Sequence, residues 1–205
     1  MQFLLPLCVL VLLSACTGEP TPAAAERRAG EPLAEATPVH VDSFIPRDEA
    51  LRRFRRGLPP TNGLSHGMAS RESLVRAFVR ALERRDSTTL RQLVLSRAEF
   101  AYLYYPSAPQ GLPPYDMNAD LMWFMLSIQS EKGMHRALNE RGGSPLYVVG
   151  TRCNEKPDTQ GENTLWGPCV LRRIEAPGDT LDERLFGPII ERQGSYKFLT
   201  YANKL

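Results

Sequence analysis

The hydrophobic period of this chain changes at Gly142-Gly143, and that change limits the fold more than any other feature. Before it, apolar residues recur at helical spacing. After it, short β-branched and aromatic runs alternate with turn residues. Helices followed by a strand meander specify an α+β layout. Ser70 is placed to cap a helix to about Arg85, with Leu74, Phe78 and Leu82 at i, i+4 and i+8 and Val75, Val79 and Ala81 alongside. Asp86 and Ser87 break it and introduce a shorter helix holding Leu90, Leu93 and Val94. Ser96-Arg97-Ala98-Glu99 fits a capping box, and the piece EFAYLYYP that follows stops at Pro106. Asp116 is expected to cap a long helix from about Met117 to Arg141, with Leu121, Phe124, Met125, Ile128 and Leu138 on its core face. Strands are expected at 146–153, 163–175, 184–192 (bulged at Gly187-Pro188) and 195–203. Short turns at 177–179 and Gln193-Gly194 force neighbours to run antiparallel. The expectation is one curved four-stranded sheet packed on the helices.

Composition excludes some classes at once. Apolar residues make up 42% of the 205, charged residues 23%, and the net charge is +2. That is neither a collagen-like nor a disordered nor a multi-span membrane composition. It gives no electrostatic case for a nucleic-acid partner.

Residues 3–13, FLLPLCVLVLL, form an apolar run too short to span a bilayer, which needs about 20 residues. The run suits the core of an export signal covering residues 1–15, although its first residues carry no Lys or Arg. Leu13-Ser14-Ala15-Cys16 follows, and it resembles the lipobox of bacterial lipoproteins. The resemblance implies cleavage before Cys16, acylation of its sulfur and of the new amine, and attachment to the cell envelope. Thr17, where an Asp would favour inner-membrane retention, implies the outer membrane where the cell has one. Residues 16–45, rich in Pro, Ala, Glu, Thr and Gly, read as a disordered tether, because so few apolar side chains cannot offset the entropy of ordering. A flexible chain of that length spans on the order of 25–30 Å.

The cysteines sort by position. Cys8 leaves with the signal and Cys16 takes lipid. Cys153 and Cys169 remain, a pair in an oxidising compartment, and a disulfide is expected. Closing that loop would stabilise by about 3 kcal/mol. A hairpin pairing them directly would turn near Gly161, within PDTQGEN, and would set Thr151 opposite Leu171 and Val149 opposite Arg173. That mixed face puts the bridge at a sheet end or edge rather than in the core. No His and no further Cys lies between 136 and 205 to complete a zinc site.

Residues 46–69 read as a short helix and a loop. PRDEALRRFRR starts at Pro46, carries Asp48 and Glu49 at its positive end and stops at Gly57. Arg52, Arg53, Arg55 and Arg56 form either a patch for anionic lipid head groups or the solvated face of a helix docked by Leu51 and Phe54.

Residues 70–205 resemble the nuclear transport factor two-like superfamily, which includes the SnoaL-like and ketosteroid-isomerase-like proteins. The likeness is carried by SLVRAFVRALERRDSTTLRQLV, a long helix, an acidic break and a second helix, and by the closing run of strands. It implies a cystatin-like cone in which a curved sheet wraps helices around a pocket. Members are enzymes or binding modules, so the resemblance does not decide function.

No catalytic or cofactor motif stands out; GxSxG, HExxH, the P-loop and GxGxxG are all absent, and no cofactor or metal is expected. His135 falls near the expected apolar face of the long helix. Asp116 and Asp120 complement the dipole at its start. Glu99, Asp120 and His135 are the weak candidates for acid–base work. Tyr102, Tyr104, Tyr105 and Tyr115 surround a Pro-rich loop, with Trp123 close behind. Aromatic bodies with polar tips suit pocket mouths and interfaces. The expected pocket therefore lies between Tyr102, Tyr105, Tyr115, Trp123, Tyr147 and Tyr196. The reading is a lipid-anchored envelope protein with a non-catalytic domain that binds a small apolar ligand or another envelope protein. The alternative is a SnoaL-like isomerase or hydrolase acting on a small apolar substrate in the cone.

Overall fold

The structure, a computed structural model, describes residues 45–203. The signal, Cys16 and nearly all of the tether lie outside those residues. The described part is mixed helix and sheet, as the change of period requires. Five α-helices come first: α1 (Arg47–Phe54), α2 (Arg71–Glu83), α3 (Ser87–Leu93), the single turn α4 (Arg97–Glu99) and α5 (Ala119–Arg141). Seven strands follow: β1 (Val148–Cys153), β2 (Asp158–Gln160), β3 (Asn163–Trp166), β4 (Cys169–Ala176), β5 (Asp179–Glu183), β6 (Ile189–Arg192) and β7 (Ser195–Phe198). Among the described residues, no helix is long and apolar enough to cross a membrane.

Local chemistry sets the helix starts. The Ser70 hydroxyl accepts from the Ser73 N–H, Asp86 accepts from Thr89 N–H, and Ser96 and Glu99 form the reciprocal capping box. Asn118, not Asp116, caps α5. Asp116 instead sits at φ +45°, a conformation Asp tolerates better than most residues.

The strands form two antiparallel sheets rather than the expected one. Sheet order is β1-β4-β5 in one and β2-β3-β6-β7 in the other. The expected strand 163–175 breaks at Gly167-Pro168, where Pro removes a ladder donor, and its halves join different sheets. The expected strand 184–192 is ordered as a strand only from Ile189, and β5 lies just before it.

The four-stranded sheet has both faces covered. Trp166, Ile189, Tyr196 and Phe198 face a core built with α2, α3 and the C-terminal half of α5. Leu165, Ile190 and Leu199 face a second core built from α1, residues 100–108 and the N-terminal half of α5. Its β7 side is closed by backbone bonds to Met68 and Leu95.

The long helix does not bury the stripe expected of it. Met122, Ser130, Gly133, Met134, Ala137 and Leu138 are inside, whereas Leu121, Phe124 and Met125 are exposed and Ile128 is half-buried. The inward face is chosen by a close approach: a Cβ at Gly133 would overlap the Tyr201 carbonyl. Ser130 Oγ accepts from Tyr201 N–H at 3.1 Å, and Asn203 donates to the Gly133 carbonyl at 2.8 Å.

Cys153 and Cys169 are bonded and directly opposed, with Cα atoms 4.0 Å apart. Thr151 faces Leu171 as the direct pairing requires, but a bulge at Val149 moves Val148, not Val149, opposite Arg173. The bridge lies at a sheet end, yet it also joins the core: Cys169 is fully buried against Leu171 and its neighbours. The chain between the two cysteines is not a loose loop. It crosses to the other sheet, forms the β2–β3 hairpin around Gly161, and returns.

Candidate functional site

The residues singled out for a cone pocket do not share one cavity. Tyr105 is buried, and its hydroxyl donates to the Met117 carbonyl at 2.9 Å. Burial pushes that hydroxyl up in pKa. Tyr102 lies beneath the Arg55 guanidinium, 4.5 Å from ring centroid to charge, and Trp123 packs on Phe100. These three belong to the second core. Tyr196 packs on the first core, and Tyr115 is 71% exposed. Tyr147, by contrast, lines a groove described below.

The acid–base candidates are also apart. Asp120 is exposed, 3.9 Å from Arg97, and His135 is exposed beside Glu131 at 3.7 Å. Glu99 is buried, at the foot of a segment that continues as a π-helical turn, Phe100–Tyr104. Its carboxylate receives the Lys197 ammonium at 2.9 and 3.1 Å, the Ser65 N–H at 2.6 Å, the Ser65 hydroxyl at 2.7 Å and the Ser96 N–H at 2.7 Å. Burial alone would raise this carboxyl. Lys197, with the Ser96 and Ser65 donors, outweighs burial and holds it below the usual range. Burial depresses the Lys197 ammonium, and Glu99 opposes that shift. The geometry is that of an ion pair locking β7 to α4 and to the 65 loop. A carboxylate so occupied has little capacity left to take a proton from a substrate.

The basic helix α1 is docked by Leu51 and Phe54. Arg52 and Arg53 are exposed and both pair with Glu49, Arg55 donates to the Ala101 carbonyl, and Arg56 is exposed just past the helix end. Among the described residues, no three His, Cys, Asp or Glu side chains gather as a metal site.

Among the described residues, a concavity lies between α2 and β1. It holds about 620 Å³, within the range of small-ligand sites. Its floor is apolar, with Val75 and Val79 from the helix and Val148 and Val149 from the strand. Tyr147, 66% exposed, stands at its mouth. Arg76 and Arg80 form an exposed basic rim on α2. Of the other charges lining it, Arg71 lies 4.0 Å over the Trp166 ring, Glu83 accepts the Leu146 N–H at 2.8 Å, and Glu72 is an exposed carboxylate in the first turn of α2, bonded to the Ser70 side chain and near Arg76.

The sequence puts Val75 and Val79 on the first long helix and Tyr147 among the pocket candidates, but nothing in it joins them. The available signal was Tyr147-Val148-Val149-Gly150, an apolar run ending in a bare backbone position. Set beside protein-family models, curated proteins and solved structures, the chain matches none.

Proposed function

We propose that this chain is a lipid-anchored protein of the cell envelope, on the periplasmic face of the outer membrane, and that its domain binds a ligand or partner without transforming it. The observation that carries the binding reading is the α2–β1 groove, an apolar floor with a basic rim. The anchor reading rests on Leu13-Ser14-Ala15-Cys16 at the end of an apolar run. Within this reading the domain is a cone whose interior is packed. Phe54, Phe100, Tyr105 and Trp123 pack on one another in the second core, leaving Tyr105 and Trp123 as packing residues, and Glu99 is engaged by Lys197. The isomerase or hydrolase alternative therefore has less support.

Two measurements test the two halves. Cys16→Ser should move the protein from the membrane to the soluble fraction as unacylated precursor; a Ser variant that still fractionates as mature acylated protein sinks the anchor. For the groove, the native chain is isolated from its envelope in mild detergent and weighed intact by native mass spectrometry. A bound adduct is expected, and it should be depleted in Val149→Trp, which fills the groove from an exposed position. No adduct, or one retained by the variant, counts against the groove as the binding site.

A further inference from the structure

β1 is hydrogen-bonded to β4 on one side only, and among the described residues no strand occupies its other side. Such an edge presents unpaired N–H and C=O groups and templates another strand unless it is blocked. Blocking is visible elsewhere. The β7 side is covered by residues 68 and 94–95, β2 is only three residues long, and β5 carries Asp179, Asp182 and Glu183. β1 has one charge, Arg152, which reaches across the sheet to Asp182 at 2.9 Å. Its bulge lies at Val149, which leaves Gly150–Cys153 in regular register.

The residues lining the groove reveal how it runs. Its strand side is supplied by residues between Pro145 and Cys153, and its other side by α2. No residue of β4, the one strand paired with β1, contributes to it. The groove therefore lies on the side of β1 away from β4, along the strand's open edge. A Cβ at Gly150 would meet nothing within 4 Å, so bare backbone faces open space there. Glycine in a strand often marks close approach by another backbone. The opposite wall is α2, lined from Arg71 to Glu83. That wall is about 18 Å long at 1.5 Å per residue, and the strand wall from Tyr147 to Cys153 is about 20 Å at 3.3 Å per residue. Two walls of similar length suit a guest strand of about five or six residues.

We propose that the groove takes an extended, acidic polypeptide segment of a partner protein, which adds as a fourth strand to the edge of β1. Backbone pairing supplies affinity, as in other strand-addition sites. Alternate apolar side chains of the guest rest on Val75, Val79 and Val149, and its carboxylates meet Arg76 and Arg80. This inference rests on the groove being the binding site and adds the class of occupant.

The test is selection of random eight-residue displayed peptides on the immobilised full chain, followed by fluorescence anisotropy with the synthetic winners. Winners should alternate apolar residues with Asp or Glu. Methylating every second backbone nitrogen removes several hydrogen bonds and should weaken binding at least about tenfold. Arg76→Glu with Arg80→Glu should weaken acidic winners about tenfold in low salt and favour their Lys-substituted versions. Winners without acidic bias, or methylated peptides that bind within about twofold, overturn strand addition. So does a selection that enriches nothing. The Val149→Trp adduct measurement decides separately whether the groove binds a ligand at all, so the two failures are distinguishable.

Discussion

Glu99 and Lys197 are each about 1% exposed and pair in the space between β7 and α4. A buried pair of this kind is a weak net stabiliser, but removing one partner strands the other and costs about 3–5 kcal/mol. Lys197→Met keeps the volume and deletes the charge, so a loss of about 3 kcal/mol is expected at pH 7. The sign of its pH dependence follows from Glu99. In the native chain the Glu99 carboxyl lies below its unfolded value, so its contribution is present above about pH 4.5 and fades as pH falls through the lowered value. In the Met variant burial is no longer countered by the ammonium, and the carboxyl rises. Protonation then relieves the stranded charge. Urea unfolding of the two proteins should show a smaller deficit at pH 4 than at pH 7; a deficit that is equal or larger at pH 4 would mean Glu99 is not the group left unpaired.

At the level of elements, α5 separates what a linear pattern contains from what packing decides. Its N-terminal half is apolar nearly all round: Leu121, Phe124 and Met125 on one side, Met122, Trp123 and Leu126 on the other. Periodicity alone marks a helix and leaves the buried face open. The choice falls to Leu51, Phe54 and Phe100, which cover Met122 and Trp123, and to the Tyr201 carbonyl against Gly133. None of these contacts is close in sequence. The same limit applies to the site. The cap residues Ser70, Asp86 and Ser96 were legible because a cap is a local event, and the cysteine register was legible because strand pairing is arithmetic. The tyrosine pocket failed because it depended on where a Pro-rich loop folds back, and the split at Gly167-Pro168 was hidden in a run that reads as one strand. The helix makes a measurable distinction. Phe124→Ser, at a position 59% exposed, should leave stability within about 0.5 kcal/mol. Met134→Ala, at 2% exposed, should cost about 2–5 kcal/mol. Equal losses in chemical denaturation would place the Phe124 face against a partner or the rest of the chain.

Across the whole molecule, the disulfide sits where the chain changes sheets. It leaves β1 after Cys153, builds β2 and β3 into the other sheet, and rejoins β4 at Cys169. The bridge thus closes a loop whose contents are already anchored elsewhere. Leu165 pairs with Ile190 on β6, and the buried Asn163 donates to the Leu103 carbonyl at 2.7 Å. Those contacts hold the hairpin whether or not the sulfurs are joined, so reduction should not unfold the protein. What the bridge contributes is a limit on the unfolded chain, about 3 kcal/mol for a loop of this size. Because Cys169 is fully buried in the core around Leu171, replacement must also respect volume. Cys153→Ala with Cys169→Ala adds a cavity cost to the lost cross-link, whereas reduction of the native chain removes the cross-link alone. Reduction is therefore expected to lower unfolding free energy by about 2–4 kcal/mol, and the double Ala variant by more, both with unchanged circular dichroism below the transition. Intact mass should rise by about two daltons on reduction, as one cross-link requires. Loss of β-sheet signal on reduction would show instead that the bridge, and not β6 and Asn163, holds the crossing hairpin in place.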